Sequence, residues 1–77
     1  MRDTSYAKEL VPPAVVTFPS GDDARLERLH IKETHPIEIR LSWWKDGKMM
    51  MRPLDLSETD LMKLLAKGLR QGVLLPE

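Results

Sequence analysis

This sequence predicts an α+β fold: a small antiparallel sheet of three to four strands in meander order, followed by one C-terminal helix packed on one face. Three observations carry that expectation. Ile37, Ile39, Leu41 and Trp43 alternate with Glu38, Arg40 and Ser42, the period of a strand buried on one face. Asp46-Gly47 follows with the residue types that accept the positive φ of a hairpin turn. Ser57-Glu-Thr-Asp60 then opens a run in which Leu61, Leu64, Leu65 and Leu69 recur at helical spacing.

Taken in order, residues 1–13 read as an N-terminal arm, with Tyr6 and Leu10 as its only apolar anchors before Val11-Pro12-Pro13, where successive prolines exclude both helix and ladder donation. Residues 14–77 form the single domain. Ala14 to Phe18 is β-branched and aromatic, hence a short strand, and Pro19 to Asp23 is dense turn chemistry that ends it. Residues 24–33 admit two readings. Asp22 or Asp23 caps a helix carrying Leu26 and Leu29, or Leu29 and Ile31 alternate with Arg28, His30 and Lys32 as a strand. Context favours the strand, because the connection Glu33 to Pro36 is short and the next strand needs an antiparallel neighbour.

The hairpin admits two registers. A two-residue loop, Asp46-Gly47, sets Trp43 opposite Met50 and Leu41 opposite Arg52, which drives a guanidinium onto the core face. A three-residue loop, Lys45-Asp46-Gly47, sets Trp43 opposite Met49 and Leu41 opposite Met51 and keeps that face apolar. The second register is therefore expected, with Trp43 in the core. It gathers Arg40, Ser42, Trp44, Lys48, Met50 and Arg52 on the outer face, and Pro53 marks an edge or bulge after which Leu54 and Leu56 turn inward.

In the helix, Ser57 is positioned to accept a bond from the amide of Asp60, and Glu58 and Asp60 complement the positive helix end. Met62 and Ala66 widen the apolar stripe, while Lys63, Lys67 and Arg70 form a basic side. Gly68 costs about 1 kcal/mol against Ala in a helix interior, which close packing would justify, and Gly72 is the natural left-handed terminator. Val73, Leu74 and Leu75 need a surface to cover, either the core or a second subunit.

Twelve basic and twelve acidic side chains cancel. Their distribution is uneven, since residues 40–52 hold Arg40, Lys45, Lys48 and Arg52 against Asp46 alone. A chain of 77 residues without Cys lacks a disulfide framework and fits a reducing cytosol, so a cytoplasmic location is expected. No apolar run reaches the roughly 18 residues of a membrane span. His30 and His35 lack a third ligand at suitable spacing, so neither metal nor other cofactor is expected. No nucleophile motif or phosphate loop is present, and the chain reads as non-enzymatic. A core this small, with apolar residues to spare at the C-terminus, points to a homodimer.

The order Ile37-Glu-Ile-Arg40, the pair Trp43-Trp44, a Gly turn, Met and a basic residue on the return strand, then Leu54-Asp-Leu56-Ser57 opening an amphipathic helix resembles the C-terminal domain of transcriptional positive cofactor four. The resemblance spans residues 28–70. It implies a dimer whose sheets bind single-stranded DNA, with Arg40 and Trp44 on the nucleic-acid-facing strand, Lys48 and Arg52 on its partner, and Leu61, Leu65 and Leu69 in core or dimer contacts. The residues themselves fit that chemistry, because cationic side chains follow phosphates and an exposed indole stacks bases. The expected function is thus binding of single-stranded DNA or RNA through Arg40, Trp44, Lys48 and Arg52, in transcription or its regulation. The alternative is a protein-interaction or regulatory module in which Trp44, Met50 and nearby Arg form a hot spot.

Overall fold

The computed structural model describes residues 2–76. Five strands and a helix follow in sequence: β1 (Ala7–Glu9), β2 (Ala14–Thr17), β3 (Asp23–Ile31), β4 (Ile37–Lys45), β5 (Lys48–Met49) and α1 (Glu58–Gln71). All pairings are antiparallel, and β3 is the centre. β4 occupies one side of β3 from Asp23 to His30, while β2 pairs with Asp23–Leu26 and β1 with Leu29–Ile31. With one side taken by β4, β1 and β2 lie end to end along the other, and Pro12-Pro13 falls in the break between them. The ambiguous residues 24–33 therefore form mainly strand, as context suggested.

The segment expected as an arm supplies a strand of the sheet. Thr4 N donates to Ala7 O at 2.9 Å and Glu9 N to Arg2 O at 2.8 Å, so a tight turn at Ser5-Tyr6 brings Arg2 back beside Glu9. The Thr4 hydroxyl oxygen accepts from the amides of Tyr6 and Ala7 at 3.2 and 3.1 Å, which holds that turn closed. Buried Ala7 anchors the segment; Tyr6 points to solvent.

Parity in β3 splits its residues between two faces. Ala24 and Leu26 meet Ala14 and Val16 of β2, and α1 covers them with Leu64 while Val73 closes the cluster beyond the helix end. Leu54, Leu56, Leu65 and Leu74 pack around its margin. On the opposite face Leu29 and Ile31 meet Ala7 in a second cluster that no helix covers. The sheet is curled.

The helix begins and ends where its caps place it. Ser57 Oγ accepts from Asp60 N at 3.0 Å, and Gly72, at φ 78°, donates its N–H to Gly68 O. A Cβ built on Gly68 would lie 2.6 Å from Leu26 Cδ2, so the glycine lets the helix approach β3 closely. α1 lies over β2 and β3 and stops short of β4.

The hairpin adopts the register that the sequence argument set aside. Trp44 pairs with Met49 and Lys45 with Lys48, leaving a two-residue loop in which Asp46 and Gly47 take φ of 51° and 76°. This is the primed turn that matches strand twist. The objection to it was a guanidinium on the core face. It fails because regular pairing stops at Met49 and α1 never reaches β4, so Arg52 lies at the surface with its guanidinium 4.9 Å over the Trp43 ring. Met49 and Met51, expected against the core, are both exposed.

Candidate functional site

Two arrangements stand out, one on each face of the sheet. On the face turned away from the helix, Trp44 is only 8% exposed. The guanidinium groups of Arg25 and Arg2 lie over its ring, 4.2 and 4.8 Å from the centroid. Its Nε1–H donates to Ser42 Oγ at 2.8 Å, and Ser42 Oγ in turn donates to Glu27 Oε1 at 3.3 Å. Glu27 is 1% exposed, accepts from Arg40 Nε and Nη2 at 3.1 and 3.0 Å, and has Arg2 4.0 Å away.

Glu9 is buried close enough to Glu27 for the two carboxyls to act on each other. Burial pushes the Glu9 carboxyl above the usual value, and the neighbouring Glu27 carboxylate pushes it further. Burial also acts to raise Glu27. The neighbouring Glu9 carboxyl and the hydrogen bonds from Arg40, with the charges of Arg40 and Arg2, outweigh that effect and hold Glu27 below its usual value. The shifts favour a protonated Glu9 beside an ionised Glu27, whose Oε2 is buried without a hydrogen-bond partner. Two carboxylates in general acid and base roles would suit catalysis, but these are closed off from solvent by Arg2, Arg40 and the Trp44 ring. Their geometry suits holding the sheet's second face together.

The expected binding residues accordingly separate. Arg40 is tied to Glu27 and half-buried, Trp44 is in the interior, and Lys48 and Arg52 are exposed on and beyond the short β5. Parity did place Trp43 and Trp44 on opposite faces, but with the reverse burial. Trp43 is half-buried at the sheet's end, its Nε1–H donating to Asp22 Oδ2 at 3.0 Å, and Trp44 is the more buried ring. The reason lies outside the hairpin: Arg2 and Arg25 lie over the Trp44 ring, whereas the helix stops short of β4 and Trp43. A signal for the cluster was present in the parity of β3, which puts Arg25 and Glu27 on the face of Leu29 and Ile31. A carboxylate on an apolar face requires cationic partners.

The second arrangement is β4 itself. Ile37, Ile39 and Leu41 lie on the helix side of the sheet, yet they are 54%, 43% and 43% exposed because α1 stops short of them. Two bonds fix how this strand directs its backbone. Met50 N donates to Trp43 O at 2.7 Å, away from β3, and Ile31 N donates to Pro36 O at 2.9 Å, toward β4's neighbour. Direction alternates along an antiparallel ladder, so Ile37, Ile39 and Leu41 also point their N–H and C=O groups away from β3. Among the described residues no strand pairs with them there, since β5 begins opposite Trp44 and Lys45.

The other side of the sheet is protected. Residues 2–4 fold against β1, Pro12-Pro13 interrupts the line, and Lys67 Nζ donates to Val15 O at 2.8 Å on β2. Lysine and proline are common means of blocking strand addition. β4 has neither between Ile37 and Trp43.

The rings of His30 and His35 stack with centroids 5.6 Å apart. Among the described residues no three His, Asp, Glu or Cys side chains converge as metal ligands, and no helix is long and apolar enough to cross a membrane. The class this architecture defines is a small α+β protein with a one-helix, antiparallel curled sheet. No protein-family model, curated protein or solved structure was found to match the chain at a significant level, so the likeness to cofactor four rests on residue order alone.

Proposed function

We propose that the chain is a non-enzymatic protein-interaction module that works by strand addition at β4. One observation carries this reading: from Ile37 to Leu41 the strand offers unpaired backbone donors and acceptors and, on one face, an uncovered apolar row. Strand addition uses both features, because main-chain bonds supply affinity and alternate side chains supply specificity. The site differs from the hot spot anticipated around Trp44, whose ring supports Glu27 instead.

Selection from a displayed library of unstructured peptides tests it. Bound peptides should alternate apolar and polar residues and should protect the amides of Ile37, Ile39 and Leu41 from hydrogen exchange. Ile39→Pro should abolish their binding while sparing the β3 ladder, because the N–H it removes points outward. Peptides that protect other amides, or a library that yields none for a chain that light scattering shows to be monomeric, would overturn the reading.

Single-stranded nucleic acid, in transcription or its regulation, is a second reading. Exposed Lys45 and Lys48, with Arg52 over the half-buried Trp43 ring, support it. Short single-stranded oligonucleotides should then quench Trp43 and bind more weakly as salt rises, each phosphate contact steepening the dependence. No quenching at low salt, where the electrostatic attraction is greatest, would exclude it.

A further inference from the structure

We infer that the partner of β4 is a second copy of β4, paired antiparallel about a two-fold axis through Ile39, an inference that rests on the strand-addition reading above. The sequence Ile37-Glu-Ile-Arg-Leu41 is complementary to itself in this arrangement and in no neighbouring one. With Ile39 opposite Ile39 of the second copy, Ile37 faces Leu41 and Glu38 faces Arg40. Apolar residues meet on the helix side of both sheets, and opposite charges meet on the other side, where direct cross-strand pairs of unlike charge are favourable.

Shifting the axis one residue toward the N-terminus sets Glu38 against Glu38. Shifting it the other way sets Arg40 against Arg40, and also requires Ile37 of the second copy to occupy the place where Met50 already bonds Trp43. Like charges directly opposite destabilise a pair of strands. Centring on Leu41 puts Ile37 against Lys45, which β5 has taken. The free length thus selects the same register as the charges.

The backbone agrees independently. Ile37, Ile39 and Leu41 are the residues whose N–H and C=O groups face outward, so this axis makes each facing pair of them a hydrogen-bonded pair. Glu38 and Arg40 then form the closer, non-hydrogen-bonded pairs, in which side chains lie nearest. Arg40 already serves Glu27 with Nε and Nη2; Nη1 lies on the other arm of the same guanidinium and is available to a second carboxylate. Two sheets joined in this way form one continuous sheet, with the paired Ile37, Ile39 and Leu41 rows flanked by the two α1 helices.

Light scattering across a concentration series, with a half-filtered NMR experiment on mixed labelled and unlabelled chains, tests the inference. A dimer is expected, with intermolecular contact between the Hα protons of Glu38 and Arg40. Glu38→Arg replaces both attractive pairs with repulsive ones and should raise the dissociation constant about tenfold or more. Met62→Lys, on the exposed helix surface, should leave it unchanged, and circular dichroism should show both variants folded. A dimer indifferent to Glu38→Arg, or one lacking the Glu38–Arg40 contact, overturns the inference. A monomer whose β4 amides are nonetheless protected by selected peptides overturns self-pairing and leaves the strand-addition module standing. A monomer that no peptide protects removes both.

Discussion

Glu9 and Glu27 have the same side chain, and their surroundings drive them in opposite directions. Burial acts on both toward the neutral form; only Glu27 has Arg40 bonded to it, with Ser42 and Arg2 adding to that support. The consequence for stability follows from linkage. The raised Glu9 contributes stability below its unfolded value, near 4.5, and loses it as pH rises through its native value. The depressed Glu27 contributes above its unfolded value and loses it as pH falls through its native value. Glu9→Gln keeps a neutral side chain beside Glu27, so its urea midpoint should fall less than wild type's as pH rises above 4.5. Parallel curves for the two proteins would show that Glu9 holds no extra proton. Trp44 belongs to the same cluster. Trp44→Ala should cost about 3–5 kcal/mol, and Trp43→Ala less, because only Trp44 is enclosed. Equal losses in chemical denaturation would contradict the burial difference. At this scale the alternation of residues 37–43 was readable, and the identity of the covered face was not. What covers Trp44 is contributed by Arg2 and Arg25, far from the hairpin in sequence.

Among the elements, the helix was the most legible. Ser57, Gly68 and Gly72 each act through local backbone chemistry, and the cap bond, the close approach and the left-handed terminator all occur. Gly68→Ala tests the approach. Helix propensity alone predicts a gain of about 1 kcal/mol, whereas the 2.6 Å clash with Leu26 predicts overpacking that exceeds it. A net destabilisation of about 1 kcal/mol is expected in thermal melts. A more stable variant would mean that the helix rides clear of β3. The hairpin was harder to read because the correct register looked wrong on one premise, that the helix-facing side of β4 is core. The turn dipeptide Asp46-Gly47 argued for two residues from the start, and local turn chemistry proved the better guide. Exposure along β4 could not be inferred from alternation, since the same pattern describes a strand beneath a helix and a strand beside one.

For the molecule as a whole, the sheet has two apolar faces and one helix to cover them. α1 closes the first over Ala14, Val16, Ala24 and Leu26. The second depends on residues 2–6, which return Arg2 over Trp44 and close to Glu27. A segment that composition marks as an arm is therefore part of the fold, and its anchoring polar bonds explain why an apolar periodicity was absent. Arg2 N donates to Glu9 Oε1 at 2.7 Å, Lys32 pairs with Asp3, and Thr4 closes the turn. Deleting residues 1–5 should leave the helix cluster intact and open the second face. Trp44 then meets water and Glu27 keeps Arg40 as its one close cation. The expected loss is about 2 kcal/mol, roughly 10 °C in a domain of this size, with a red shift of tryptophan emission and retained helical circular dichroism. Arg2→Ala in the full chain should reproduce part of the emission shift with a smaller loss, because the Thr4 turn survives. If the shortened chain melts at the wild-type temperature with unshifted emission, the curl alone buries Trp44, and the N-terminal segment only decorates a face that the sheet closes by itself.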